Sequence, residues 1–367
     1  MKPYIIPFFL CIFLISQTGC QNAAFLLHGK ASASEELLYT VKKNKQVEKK
    51  LKNYLESQQI SGSVMVVKNK GIVFNEGAGY SNIKKRKKNT PSTTYPIASM
   101  TKVFVATSIL QLQEKGKLKI TDPISKFIPS FPNGKKIKLY HLLTHTSGIR
   151  PPIWHMNDQK PQDLMKEIEK RGVAFQPGEK WDYIDANYMV LGFVIEKVSN
   201  DSLHHYIQKN IFNKAHMRSS GFMTSKHPTS YTSVGYFKGV THLIPKKNFT
   251  IPLLFGCGDI YSTTYDLSLF DQALMSGKLI NRKSLTEMLK HGPRSSYGLG
   301  LYHRGKTIFS RGVLGGWESF HIMYKDKINI VILLNIRNRK ANIQKLSNDI
   351  HTIVAAEKTQ PRSKKSR

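Results

Sequence analysis

Ser99-Met100-Thr101-Lys102 is the segment whose residue types and spacing best suit covalent chemistry. Its serine and lysine are three residues apart, so in a helix they share one face and the amine can reach the hydroxyl. A serine hydroxyl is a weak nucleophile until a neighbouring group takes its proton. The start of a helix adds a partial positive charge where an oxyanion could form. The tetrad therefore predicts Ser99 as a nucleophile assisted by Lys102.

The elements that must position this tetrad are predicted from hydrophobic periodicity. Helices are expected over about 47–55, 99–115 and 343–354, and strands over 63–67, 72–75, 296–302, 306–310, 319–324 and 328–335. Helix signals, Pro and Gly dominate about 120–250. Strands at both chain ends with helices between them predict an α+β fold, in which both ends form one antiparallel sheet flanked by helices around a mainly helical insertion.

Four segments stand in order along the chain: Pro96-Ile97-Ala98-Ser99-Met100-Thr101-Lys102, Leu142-Leu143-Thr144-His145-Thr146-Ser147-Gly148, the stretch from Gln176-Pro177-Gly178 to Tyr188-Met189-Val190-Leu191-Gly192, and Gly256-Cys257-Gly258-Asp259 with the following residues to 267. Together they resemble the class C β-lactamase-related serine hydrolases and penicillin-binding proteins. The resemblance covers about residues 60–355. It implies a β-lactamase/transpeptidase-like fold and a serine acyl-enzyme, with neither metal nor cofactor.

The second motif of that family is Tyr-x-Asn, and the matching residues here are Tyr183-Ile184-Asp185. The resemblance implies that Tyr183 is a general base, which requires a cation such as Lys102 to favour its phenolate form. Asp185 replaces an amide with a carboxylate, which only accepts hydrogen bonds and carries charge. It would repel an acidic substrate group and attract an ammonium group. The Tyr-x-Asp variant resembles the branch of staphylococcal-type teichoic acid D-alanine esterases, which implies a D-alanyl ester on a phosphate polymer.

The third family motif is usually His-x-Gly or Lys-Thr-Gly, and residues 309–317 occupy its place without either. Two alignments are possible: Ser310 and Gly312 fall on the motif, or Gly315 and Gly316 provide the close backbone approach to the substrate. We predict Gly315 and Gly316 as substrate-binding residues. Loss of the usual cation argues against β-lactam hydrolysis. The backbone can still form an oxyanion hole, because that needs N–H groups rather than a particular side chain.

Charge and the N-terminal segment predict where the 367-residue chain works, because Lys+Arg 56 against Asp+Glu 24 leaves a net charge of +32. Residues 1–19 resemble a signal peptide and Cys20 resembles a lipoprotein cysteine, and the alternative is simple secretion to the cell wall or an uncleaved N-terminal anchor. A tether over 20–45, a hydrolase domain over 46–358 and a basic tail over 359–367 are expected to follow. An exported chain does not meet the nucleoid, so the charge predicts an anionic wall polymer or lipid headgroups, and no nucleic acid.

Cysteines and histidines add no metal or disulfide prediction. Cys11, Cys20 and Cys257 leave no obvious pair after processing, and the His204-His205 pair lacks zinc spacing. We predict both histidines to lie on the surface. His145, Arg150 and Asp259 are predicted to have structural roles.

The combined prediction is an exported serine hydrolase that forms an acyl-enzyme on D-alanyl esters or on other D-Ala-containing wall substrates. Its partners would be teichoic acid or a peptidoglycan peptide, and the membrane through a lipid anchor or the N-terminal segment. One alternative is a DD-carboxypeptidase, weak β-lactamase or penicillin-binding protein. Another is a wall-binding module without catalysis, although the joint presence of Ser99, Lys102 and Tyr183 argues against it.

Overall fold

The computed structural model describes residues 39–41, 44–153, 160–224, 226–227, 230–238, 243–245, 250–337 and 342–357. The predicted signal peptide at 1–19, most of the tether at 20–45, the basic tail at 359–367 and both Cys11 and Cys20 lie outside these ranges. Within them, no helix combines the length and the apolar character needed to cross a bilayer.

The elements follow the chain in this order. The strands are β1 (Thr40–Val41), β2 (Gly62–Lys68), β3 (Gly71–Ala78), β4 (Tyr80–Asn82), β5 (Lys87–Lys88), β6 (Tyr95–Pro96), β7 (Gly221–Phe222), β8 (Tyr236–Lys238), β9 (Leu243–Pro245), β10 (Ile260–Ser262), β11 (Tyr302–Arg304), β12 (Thr307–Leu314), β13 (Trp317–Tyr324), β14 (Ile328–Leu334) and β15 (Ile336–Arg337). The helices are α1 (Lys45–Ser57), α2 (Thr101–Glu114), α3 (Leu139–Leu143), α4 (Pro161–Arg171), α5 (Ala186–Ser199), α6 (Leu203–Ile207), α7 (Asn213–Ala215), α8 (Thr264–Met275), α9 (Arg282–Met288) and α10 (Ile343–Ala355).

The main sheet joins the two ends of the described chain. Its strand order is β1-β3-β2-β14-β13-β12-β11. The early strand β2 pairs antiparallel with the late strand β14, with Val66 opposite Ile330. Every neighbouring pair is antiparallel except β1 with β3. This arrangement confirms the predicted antiparallel sheet built from both chain ends.

Each face of the sheet is covered by helices. On one face, α1 and α10 bury an apolar stripe that includes Leu51 and Ile350 against Val66 and Ile330. Both helices repeat apolar residues every three or four positions, which places the stripe on one side. On the other face lie α2 and α8. Helix α2 is buried on all sides from Thr101 to Leu112, as expected of a central helix.

The region between the early and late strands is mainly helical, as predicted, up to the end of α7, and α5 packs against α2. The short strands β7, β8 and β9 follow before residue 250. We predicted a strand over 296–302, and this was wrong, because Tyr297 makes only an isolated bridge and β11 begins at Tyr302. Gly300 explains the irregular backbone: it has φ +82 and lies close to the backbone of α2 at Lys102 and Val103.

Candidate active site

Ser99 lies in a tight 3-10 turn, Ala98–Met100, immediately before α2. The helix was predicted to start at Ser99, and the structure starts it two residues later. Ala98 is buried and has φ 49, a left-handed conformation that costs free energy in a residue with a Cβ. Ser99 is partly exposed although Ala98 and Met100 on either side are buried. The strained turn therefore presents the serine at the surface of an otherwise buried segment.

Ile97 anchors this turn to the surrounding strands. Its N–H donates to the Ile260 carbonyl at 2.9 Å, and its own carbonyl accepts from Ser319 Oγ at 2.7 Å. Ile260 belongs to β10 and Ser319 to β13. The position of Ser99 is therefore set by contacts with two separate strands.

Lys102 is the second residue of α2, is fully buried and makes three hydrogen bonds. Its Nζ donates to Ser99 Oγ at 3.1 Å, to Asp185 Oδ1 at 2.7 Å and to the Cys257 carbonyl at 2.9 Å. An ammonium group has three protons, so these partners use all of them. The predicted contact between Ser99 and Lys102 is present.

The charge state of Lys102 follows from its surroundings. Burial by itself lowers the pKa of Lys102, but the Asp185 carboxylate, with smaller effects from Tyr183 and Cys257, more than offsets this and leaves the pKa above its ordinary value. Lys102 is therefore a cation at neutral pH. It serves the site as a hydrogen-bond donor and a positive charge.

Tyr183 and Asp185 lie in the loop that leads into α5. The Asp185 carbonyl accepts from the backbone N–H groups of Tyr188 and Met189 in the first turn of that helix. Its side chain is 54% exposed, although it contacts the buried Lys102. The Tyr183 ring centroid is 5.1 Å from Lys102 Nζ. Among the described residues, no hydrogen bond joins the Tyr183 hydroxyl to Ser99 or Lys102.

His145 contacts the loop that carries Tyr183 through hydrogen bonds and ring packing. Its Nδ1 accepts from the Ile184 N–H at 3.2 Å and lies 3.0 Å from Asn187 Nδ2. Its ring packs against the Tyr183 ring at 4.2 Å between centroids. Burial lowers the pKa of His145 well below its ordinary value, and the Lys102 charge lowers it further. A neutral imidazole that accepts two N–H groups fits the predicted structural role.

Strand β12 forms the side of the site where the third family motif was expected. A Cβ on Gly312 would lie 2.0 Å from the Ile97 carbonyl oxygen, so glycine is required for this strand to pack against the turn before Ser99. Gly315 and Gly316 form the turn between β12 and β13, and Gly316 packs against the backbone of Tyr236. The structure thus brings Gly312 to the serine segment, and the substrate-binding role of Gly315 and Gly316 stays a prediction.

Other predicted residues lie around the site. Cys257 is free and buried, and burial raises the pKa of its thiol well above the usual value. Of the two histidines predicted to lie on the surface, His205 is exposed and His204 is only partly exposed. His204 Nε2 lies 2.7 Å from the buried carboxylate of Asp259, and its ring stacks on Phe222. Within the described ranges, no group of three His, Cys, Asp or Glu side chains could hold a metal ion.

The fold and this site together define a class of protein. The β-lactamase family model matches residues 47–350, which is most of the chain. The chain belongs to the β-lactamase family, and it is a serine hydrolase of the β-lactamase and penicillin-binding protein type.

Sequence similarity to named proteins extends over most of the chain. It is 40% identical over 331 residues to a Bacillus subtilis (strain 168) protein named penicillin-binding protein PbpX, covering 89% of this chain and 82% of that one. It is 32% identical over 308 residues to the teichoic acid D-alanine hydrolase of Staphylococcus aureus (strain MRSA252), covering 82% and 77%. Among solved structures it is similar to FmtA from Staphylococcus aureus, with a TM-score of 0.78, 27% identity and coverage of 87% and 93%.

Proposed function

We propose that this protein is an esterase that removes D-alanine from a teichoic acid by way of an acyl-enzyme on Ser99. The observation that carries the proposal is Asp185, a half-exposed carboxylate bound to Lys102 beside the nucleophile. A D-alanyl ester carries a free ammonium group next to its reactive carbonyl. The open side of Asp185 suits that ammonium group and disfavours a substrate with an acid there. The similarity to a teichoic acid D-alanine hydrolase supports this substrate.

The chemistry begins with attack of Ser99 Oγ on the ester carbonyl. Lys102 remains an ammonium ion, donates to Ser99 Oγ and stabilises the developing negative charge. We assign Tyr183 as the group that takes the serine proton, because its ring centroid lies 5.1 Å from Lys102 Nζ, beside the nucleophile. The proton then passes to the alcohol oxygen of the polymer as the ester C–O bond breaks. A water molecule attacks the acyl-enzyme, Tyr183 takes a proton from it, and Ser99 regains its hydrogen as D-alanine leaves.

The oxyanion of each tetrahedral intermediate is assigned to backbone N–H groups. One belongs to Ser99, at the positive end of α2. The second we assign to Val313, on the strand that Gly312 allows to approach. Leu314 opposite Trp317 closes the two-residue turn, so alternation in the antiparallel ladder directs the N–H of Val313 away from β13. Strand β11 pairs with β12 only from Thr307 to Phe309, and Val313 therefore lies on an edge that β11 does not cover.

The excess of positive charge supports a phosphate polymer as the carrier of the ester. Residues 84–88 are consecutive Lys and Arg side chains, all exposed, in and beside the short β4–β5 pair. They would hold the polymer electrostatically while Asp185 binds the amine. We place the protein outside the cytoplasm, on the sequence resemblance of residues 1–20 to a lipoprotein signal.

The test is release of D-alanine from purified teichoic acid by the full chain. We expect wild type and Asp182→Asn to release it, and Ser99→Ala to release none; Asp182 is an exposed carboxylate three residues from Asp185. Absence of release by the wild type would refute the esterase assignment. A second pair of substrates isolates the amine: Asp185→Asn should lower kcat/KM about tenfold more for a D-alanyl ester than for its N-acetyl derivative, the value of one charge-assisted hydrogen bond.

A DD-carboxypeptidase is the second candidate, and the relative named penicillin-binding protein favours it. It predicts release of the terminal residue from a peptide ending in D-Ala-D-Ala. The same Ser99→Ala comparison distinguishes the two: Ser99-dependent release from the peptide, with none from teichoic acid, would establish the peptidase.

A further inference from the structure

Three buried polar side chains form a row between the main sheet and α8. His321 on β13 places Nδ1 2.8 Å from Asp271 Oδ1 on α8, and both side chains are 1% exposed. Ser310 on β12 is directly opposite His321 in the strand pairing and is 3% exposed. Opposite residues in an antiparallel pair point to the same face. Ser310, His321 and Asp271 therefore follow one another from the edge of the sheet into the core.

Each of the three side chains has a polar atom without a hydrogen-bond partner among the described residues. These atoms are Ser310 Oγ, His321 Nε2 and Asp271 Oδ2. A buried polar atom without a partner is costly, and nearly all such atoms bind protein groups or ordered water. Asp271 accepts from Nδ1, so Nε2 is the nitrogen left for Ser310. No direct hydrogen bond joins Ser310 Oγ and His321 Nε2 among the described residues, and a bridging water molecule would satisfy both atoms.

The two strands that carry Ser310 and His321, β12 and β13, also contact the segment that precedes Ser99. Gly312 and Ser319 are the next opposite pair after Ser310 and His321 on this face. Ser319 donates to the Ile97 carbonyl, and Gly312 packs against that same oxygen. A shift of β12 relative to α8 would therefore move the backbone beside Ser99.

We infer that Ser310 Oγ and His321 Nε2 bind one buried water molecule between them, and that the row of Asp271, His321 and Ser310 is a positioning device for acyl transfer. Asp271 orients the imidazole, the water joins it to Ser310, and β12 is held at a fixed distance from the nucleophile. The inference rests on acylation of Ser99 and is independent of the D-alanyl substrate.

The first test is the acylation of the full chain by p-nitrophenyl acetate. Ser310→Ala and His321→Gln should each lower the acylation rate constant about ten- to hundredfold, because misplacement of about 1 Å has effects of that size. The KM should stay near wild type in both variants and the melting temperature near wild type in Ser310→Ala, whereas Ser310→Thr should keep the wild-type rate. Asp201→Asn is the matched control, since it removes the exposed i,i+4 pair of Asp201 with His205. Wild-type acylation in Ser310→Ala would overturn the inference.

The second test needs no variant. A high-resolution crystal structure of the wild-type chain should show a water molecule within hydrogen-bond distance of both Ser310 Oγ and His321 Nε2. A dry space there would overturn the inference, even if the variants failed to fold. Failure of the esterase assignment is distinguishable, because p-nitrophenyl acetate would then still acylate Ser99 while teichoic acid released no D-alanine.

Discussion

Replacing Asp185 by Asn tests how the buried lysine is kept charged. Asn keeps an oxygen that can accept from Lys102 but removes the negative charge. Removing one partner of a buried ion pair costs about 3–5 kcal/mol. Asp185 is 54% exposed, so solvent already screens part of this interaction and we expect a loss of about 1–3 kcal/mol. Ser99 and Cys257 still accept from Lys102, which also limits the loss.

The loss should depend on pH in a defined direction. In the wild type the pKa of Lys102 is raised, so its contribution to stability is complete below about pH 10.4, the unfolded value, and falls only above it. Asp185→Asn removes the largest contribution that opposes burial, so we expect burial to lower the pKa of Lys102 below that of the unfolded chain. The folded variant then binds fewer protons than the unfolded one, so its stability rises with pH. The difference between wild type and variant should shrink between about pH 7 and about pH 9.5.

The assay is urea unfolding of wild type, Asp185→Asn and Asp182→Asn at both pH values. Asp182 is an exposed carboxylate in the same loop, and its replacement should cost less than about 0.5 kcal/mol at either pH. Two results would refute the argument: a deficit for Asp185→Asn no larger than that of Asp182→Asn, or a deficit of the same size at both pH values.

Two further predictions concern the supports of the site. Gly312→Ala should abolish acylation and destabilise the fold, because its Cβ would lie 2.0 Å from the Ile97 carbonyl oxygen. Gly258→Ala is the control and should be tolerated, because no atom would lie nearer than 3.3 Å to its Cβ. Acylation kinetics and thermal melting of the two variants check this. Burial lowers the pKa of His204, but the hydrogen bond and charge of Asp259 raise it above its ordinary value. The stability advantage of wild type over Asp259→Asn should therefore be complete below about pH 6.5 and decline as pH rises further, measured by denaturation from pH 5 to 8.

Local features of the fold were predictable from the sequence because they depend on neighbouring residues. The periodicity of apolar positions predicted α1 and α10, and the apolar runs over 63–67 and 72–75 predicted β2 and β3, which Asn69 and Lys70 join in a tight turn. Both turn residues have positive φ, at 51 and 61, the type of turn that suits a tight hairpin. The failure at 296–302 has a long-range cause, since Gly300 packs against a helix nearly 200 residues earlier in the chain.

The sequence alone predicted Ser99 as the nucleophile, Lys102 as its partner and Asp185 as the unusual carboxylate of the second motif, since spacing within one helical turn and short motifs are visible in a linear chain. Only the tertiary structure decided how they are held. Lys102 contacts Asp185, which is 83 residues away in the chain, and the backbone carbonyl of Cys257. His321 contacts Asp271, which is 50 residues away. No side-chain pattern reveals a backbone acceptor, and long-range pairs form only when separate strands and helices pack. The charge of the lysine and the fixed edge beside the serine are therefore properties of the assembled fold.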